Sequence, residues 1–204
     1  MKKYREFLKS ILIVLIIQSA MYYLIKLVIN DYNTISSIIS FPLVNYFVYF
    51  YDSWYPFVFI ISFVIYINNK ELYYKLIFSL IISSLMAHIT FIIYPTILVR
   101  PNIEINSLTN YILDFTYKTD NPPVNCLPSV HCIFCFVLMY YTYLSNFKYK
   151  YPTIIYFFLI VLSTLFIHQH IIEDVILSLI YSIISIILVK LFYDKLKKIL
   201  NFIF

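Results

Sequence analysis

The chain has 204 residues, 62% hydrophobic and 12% charged, with a mean hydropathy of +0.85 and a formal net charge of +5. Soluble domains are about 45–50% apolar and about 25% charged, so this composition excludes an ordinary soluble fold and points to a polytopic membrane protein. The basic residues are spread over several short loops and not gathered in one patch, which excludes a nucleic-acid surface and makes the charge a topology signal.

A bilayer span needs about 20 mostly apolar residues. The first such run, residues 8–29, follows MKKYREFLKS. It is too long for a signal peptide and no small-residue cleavage site follows it, so it is expected to be span 1. Residues 30–40 are polar. Residues 41–53, FPLVNYFVYFYDS, are aromatic and mildly polar. Tyr and Trp favour the membrane interface, and this stretch is expected there, or lining a path for lipid. Span 2 is expected at about 55–67, a turn at 68–70 and span 3 at about 72–94. A long proline-containing loop, 95–127, follows, and a loop of that length inside a compact protein is usually functional. Spans 4, 5 and 6 are expected at about 128–144, 152–167 and 171–193, before a basic tail with Lys195, Lys197 and Lys198. With no glycine in the chain, tight turns and close helix contacts must rest on Ser, Ala, Asn and Pro. There is no internal repeat. The expectation is a single all-α domain, 1–204, built as a six-transmembrane helix bundle.

Six spans put both termini on one side. That side would hold Lys2, Lys3, Arg5, Lys9, Lys70, Lys75, Lys148, Lys150, Lys190, Lys195, Lys197 and Lys198, and the other side Lys26, Arg100 and Lys118. Twelve against three is a strong positive-inside bias, so both termini are expected to be cytoplasmic. The long loop and the segment 163–174 then face the opposite side together.

That segment, STLFIHQHIIED, carries two of the four histidines and two adjacent carboxylates between apolar runs. Ionisable clusters at a membrane edge are functional-site hypotheses by default. His170 and Asp174 are four apart, one helical turn, so the carboxylate can hold one ring nitrogen and leave the other free to attack or to accept a proton. Two further groups lie at neighbouring helix ends. Arg100 carries a permanent charge that matches phosphate with paired donors. Ser129 and His131 sit at the expected start of span 4, after Pro128, where helix N–H groups favour an anion and His131 could donate a proton to a leaving oxygen. Taken singly, an interfacial anchor and a capping histidine explain these residues as well. Together, a cation, a helix start with Ser and His, and a His–Asp pair suit the movement of a phosphoryl group. His168 is expected to be a loop residue, and Glu173 a poorer partner for His170 than Asp174. His88, in mid-span, is expected to bond a neighbouring helix. Cys126, His131 and Cys135 make a weak zinc pattern, and no metal or other cofactor is expected.

In this order, Arg100–Pro101, Pro128-Ser129-Val130-His131 and Ser163-Thr164-x5-His170-x3-Asp174 resemble the signature of the type 2 phosphatidic acid phosphatase superfamily of membrane lipid phosphatases. The signature, K-x6-R-P, P-S-G-H and S-R-x5-H-x3-D, falls within residues 93–178. The resemblance implies that His170 attacks phosphorus to form a phosphohistidine, that Asp174 orients it, and that His131 protonates the leaving group. It further implies that Arg100 and the Ser129 region hold the phosphate. The chain departs from the signature at Ile93, Thr164 and Val130, which stand for a lysine, an arginine and a glycine; Lys118 could replace one lost cation. The same departures, with Asp120, Asn125 and Gln169, resemble the branch of inositol phosphorylceramide synthases. Asn125 is thereby a further candidate for binding substrate.

The resemblance thus implies a multi-pass membrane enzyme acting on a lipid phosphate ester in the bilayer, with its site on the non-cytoplasmic side and no nucleic-acid partner. Its oligomeric state is left open. The alternative is a catalytically silent membrane scaffold or lipid-binding protein of the same fold, which the missing cations favour.

Overall fold

The computed structural model describes residues 4–203, with side chains as far as residue 198. The chain is mostly helical. Helix α1 is Arg5–Val28. A single 3-10 turn, Asn45–Phe47, leads into the short α2, Val48–Asp52, and then α3, Trp54–Asn68. Helix α4, Lys70–Ile93, starts at an Asn69 cap whose side chain accepts from the Leu72 N–H. It is followed by α5, Leu108–Thr119, α6, Val130–Leu144, α7, Lys150–Phe166, and α8, Ile172–Ile203.

Among the described residues, four segments are long and apolar enough to cross a membrane: α1, Asn45–Asn68, α4, and Ile172–Lys198 within α8. Each of the six expected spans is a helix, but α6 and α7, with 15 and 17 residues, are shorter. At about 1.5 Å per residue they reach less far than the ~30 Å hydrocarbon layer. Expected span 2 is extended backwards, because the aromatic stretch before it folds into α2 and continues its line.

The core is built on α4, α6 and α8, with α7 against α6 and α1 against α4. In a chain without glycine, serine lets these helices approach. Ser79, Ser83, Ser84, Ser178, Ser182 and Ser185 are all buried. Small hydroxylated residues at helix contacts allow close backbones and bond across them. On α8, Ser178 and Ser182 donate to the backbone carbonyls of Ser129 and Ile133, at 2.9 and 3.3 Å. These bonds fix the start of α6 against the first turns of α8, which brings His131 level with the residues that open α8.

The expected loop 95–127 is ordered by pieces that its sequence concealed. Strand β2, Thr96–Leu98, pairs in parallel with β1, Asn33–Ile35. The Thr96 hydroxyl accepts from the N–H groups of Cys126 and Leu127, and its carbonyl accepts from that of Asn125. Between these anchors, α5 begins at Ser107, whose side chain accepts from Asn110 N–H, and buries Leu113. Three-residue strands are too short to show alternation, and the apolar face of α5 is interrupted by polar residues.

Candidate active site

The turn between α7 and α8 folds back on the end of α7. The Thr164 carbonyl accepts from the N–H groups of both Gln169 and His170, at 2.9 and 3.0 Å. His168 takes the left-handed conformation, φ 51°, that this reversal requires, and its ring bonds the Phe41 carbonyl at 2.9 Å. It is a loop residue with a structural partner. Beside it, the Tyr117 hydroxyl donates to the Ile167 carbonyl at 2.5 Å. Burial raises that phenol to about 12, so it stays a neutral donor.

His170 is thereby presented at the head of α8. Its Nδ1 is 3.1 Å from Oδ2 of the fully buried Asp174, which also accepts from the Ile171 N–H. With Asp174 ionised, a group that only accepts, Nδ1 carries the proton and Nε2 the lone pair. His131, one residue into α6, faces this ring with centroids 6.2 Å apart. The His131 ring is flanked by Tyr51 and Trp54 at 4.7 and 4.6 Å, and its backbone carbonyl accepts from Trp54 Nε1. Its Nε2 is buried without a protein partner.

Arg100, just past β2, closes the group. Its Nη2 donates to Asp120 Oδ2 at 2.5 Å and to the side-chain carbonyl of Gln169, and Nη1 donates to the Asp120 carbonyl. The guanidinium lies 5.1 Å from the centroid of the Tyr117 ring. Tyr22, reaching in from α1, donates to Asp120 Oδ1 at 2.6 Å. Asp120 thus ties α1, the end of α5 and Arg100 together.

Arg100, Asn125, His131, Gln169 and His170 line one cavity of about 230 Å³. Among the described residues, several buried side-chain atoms in it lack a partner: Arg100 Nε, Gln169 Nε2, both side-chain ends of Asn125, His131 Nε2 and Gln18 Oε1. Buried polar atoms are rarely left so, and their gathering in one cavity marks a ligand site. Asn125 sits there in the left-handed region, φ 59°, which Asn tolerates better than most residues.

Other expected residues lie elsewhere. The Ser129 hydroxyl accepts from Cys132 N–H as the cap of α6, and Ser129 does not line the cavity. Ile93 is exposed at the end of α4. Thr164 is buried behind the turn, its hydroxyl donating to the Val161 carbonyl. Lys118 pairs with Asp114 on the surface of α5 and does not line the cavity, so it replaces neither lost cation. Cys126, Cys132 and Cys135 are buried free thiols, and burial pushes that of Cys126 up. Among the described residues no group of three His, Cys, Asp or Glu could hold a metal. His88 bonds the Ser84 carbonyl of its own helix. Sequence reasoning did not find Tyr22, Tyr51 and Trp54 as parts of the site. The i, i+3 spacing of Tyr51 and Trp54, with Trp54 the one tryptophan of the chain, was the available signal.

Long apolar helices around a cavity that bears two facing histidines suggest a helical membrane protein. The family model for the PAP2 superfamily matches residues 72–198, more than half of the chain, and the chain belongs to that superfamily. The match runs from α4 through most of α8 and takes in Arg100, His131, His170 and Asp174. The superfamily is generally one of phosphatase-type enzymes, so membership suggests phosphatase or phosphotransferase activity on a lipid-associated phosphate. Neither a curated protein nor a solved structure matches the chain.

Proposed function

We propose that this protein cleaves a lipid phosphate ester through a phosphohistidine on His170. The observation that carries the reading is the pairing of His170, whose Nδ1 is held by Asp174, with a second imidazole 6.2 Å away in the same cavity. The Nε2 lone pair of His170 forms a bond to phosphorus as the ester P–O bond breaks. The leaving oxygen takes a proton from His131. Water or an alcohol then gives a proton back to His131 as its oxygen attacks phosphorus, and the N–P bond to His170 breaks. The acceptor decides between phosphatase and phosphotransferase.

The unpartnered donors supply the phosphate cradle. Arg100 Nε, Gln169 Nε2 and Asn125 Nδ2 are three N–H sources in one cavity, and phosphate oxygens would satisfy all of them. Neutral amides thus stand in for the cations that Ile93 and Thr164 do not provide, which is what the inositol phosphorylceramide synthase-like branch would also show. No metal enters these steps, so a chelator is expected to leave the rate unchanged. The distribution of Lys and Arg supports six spans with both termini cytoplasmic and the cavity on the non-cytoplasmic side.

The test uses purified protein in a maltoside detergent with a panel of lipid phosphate mono- and diesters. Phosphate release and headgroup exchange are followed for the native chain and His170→Ala, with acid-labile phosphoprotein trapped during turnover. Loss of turnover and of trapped phosphate in the variant is expected; equal rates in both would sink the reading. A specific observation favours the second reading, a silent lipid-binding protein. Arg100 is already paired with Asp120 and Gln169, as it would be if no phosphate were ever turned over. Tight lipid binding with no turnover on the whole panel would select it.

A further inference from the structure

We infer that the same cavity holds a subsite for the quaternary ammonium group of a zwitterionic phosphodiester lipid, walled by Tyr22, Tyr23, Tyr51, Trp54 and Tyr55. The inference rests on the proposed phosphate position between His131, His170 and Arg100.

Two observations lead to it. The first is the wall. Five aromatic side chains line the cavity beside the histidines, two from the end of α1 and three from α2 and α3. Tyr51 and Trp54 are buried against the His131 ring, so they do not belong to an interface belt. Tyr23 and Tyr55 are exposed and form the open side. Tyr22 packs edge-on to Tyr23, and Trp54 edge-on to Tyr55. No step of the proposed transfer makes or breaks a bond on these rings, although Tyr51, Trp54 and Tyr55 pack against His131. Aromatic faces around a cavity attract a cation, and a quaternary ammonium, which has no N–H to satisfy, suits such a wall best.

The second observation is charge. The charged residues that line the cavity are Arg100 and Asp120, which cancel. Asp174, behind His170, adds a negative charge, which the protonated His131 of the proposed transfer offsets. A phosphomonoester dianion would therefore leave its own two negative charges uncompensated in surroundings of low dielectric, at high cost. A phosphodiester with an ammonium headgroup brings no net charge. Both oxygens of Asp120 already accept a hydrogen bond, from Tyr22 and Arg100, so the aromatic wall, and not a free carboxylate, is what the cavity offers a cation.

Trp54 is the sole tryptophan of the chain and lines this cavity, so its emission reports occupancy directly and without turnover. The protein, in a maltoside detergent free of phosphate and amine, is titrated with glycerophosphocholine, glycerophosphoethanolamine, glycerophosphoinositol and glycerol phosphate. Glycerophosphocholine is expected to shift Trp54 emission at a concentration at least about tenfold below the other three, the size of one strong cation–π contact. Tyr23→Leu/Tyr55→Leu, which changes exposed rings, is expected to remove that advantage while glycerol phosphate binds as before. Equal affinity for all four ligands overturns the subsite, as does tighter binding of the inositol or ethanolamine ester. A choline preference that survives the double substitution overturns it too. The two proposals fail separately. Choline-selective binding without any His170-dependent transfer keeps the subsite and removes the chemistry. Transfer with no choline preference does the reverse.

Discussion

The two ends of α4 carry charge in opposite ways. At its start, Lys70 pairs with Glu6 and Lys75 with Glu71, at 2.5 and 2.6 Å, with every partner substantially exposed. A cavity of about 390 Å³ lies there too, larger than the one beside the histidines. Among the described residues, none of its lining side chains has an unpartnered buried polar atom. At the other end, the chain leaves α4 for β2 and reaches Arg100, whose side chain is 7% exposed and whose partner Asp120 is tied to α1 and α5. Here the smaller cavity collects six unmet donors and acceptors, while Ser62, Ser84, His88 and Thr142 carry single ones away from it. The difference teaches that neither ion pairs nor empty volume locates a site in a membrane protein. Buried polar groups that the fold leaves unsatisfied do, because folding alone gives no return for burying them.

The hardest test of that contrast is His170→Ala. If the cavity end is the reactive end, turnover of a lipid phosphate falls by about 10³-fold or more, since removing a nucleophile leaves only binding and charge stabilisation. His131→Ala is expected to cost about 10²–10⁴-fold, the range of general acid–base catalysis. A substrate with a good leaving group, such as a nitrophenyl ester, should recover much of the His131→Ala loss, because that leaving oxygen needs no proton. It should recover little for His170→Ala. Equal rescue of both would remove the division of roles.

Asp174→Asn probes the positioning of the nucleophile. The amide nitrogen can donate to Nδ1 and so favour the tautomer with its proton on Nε2, where the lone pair is needed. The expected outcome is a fall in kcat of about 10²–10⁴-fold with KM little changed. A KM effect alone would mean that Asp174 serves the fold and not the ring. Asp120→Ala is a smaller change of another kind. It removes the partner of Arg100 and the acceptor of Tyr22 together. Because Asp120 is partly open to solvent, the cost to stability is expected at about 1–3 kcal/mol, below that of a fully buried pair. Thermal unfolding in detergent measures it.

How much of this was legible in the sequence depends on whether one element or several had to be read. The helices expected as spans were, since long apolar runs bounded by charge need little tertiary information. The His170–Asp174 pair was also legible, because it lies within one turn of one element. Arg100 was visible as the one arginine beyond the N-terminal segment, but its partners were not: Asp120 is 20 residues away and Gln169 is 69. The aromatic stretch before span 2 was legible as membrane-interface chemistry, yet Tyr51 and Trp54 stack on His131 from a different helix. Helix α5 and the β1–β2 pair were hidden for a similar reason. Thr96 anchors the strand pair, its hydroxyl and carbonyl bonding residues about 30 positions further on, and α5 is held by Leu113 packed with Val48, Tyr51 and Ile167. Such a contact has no local pattern to betray it.

The smallest expected effect belongs to the start of α4. Lys75 pairs with Glu71 one turn away and lies 4.6 Å from the centroid of the Tyr193 ring on α8. Two attractive contacts for one side chain suggest a strong link between α4 and α8. Exposure argues otherwise, since Lys75 and Glu71 retain 32% and 56% of their side-chain surface. Exposed pairs of this spacing contribute about 0.3–0.5 kcal/mol, and an exposed cation–π contact about 0.5–1 kcal/mol before screening by salt. Lys75→Met keeps most of the side chain's length and removes both electrostatic contacts. It is expected to shift stability by less than about 1 kcal/mol, with the shift vanishing in high salt and turnover unchanged. A loss as large as that of Asp120→Ala would mean that the ion pairs at both ends of α4 are equally structural, and the contrast between them would fail.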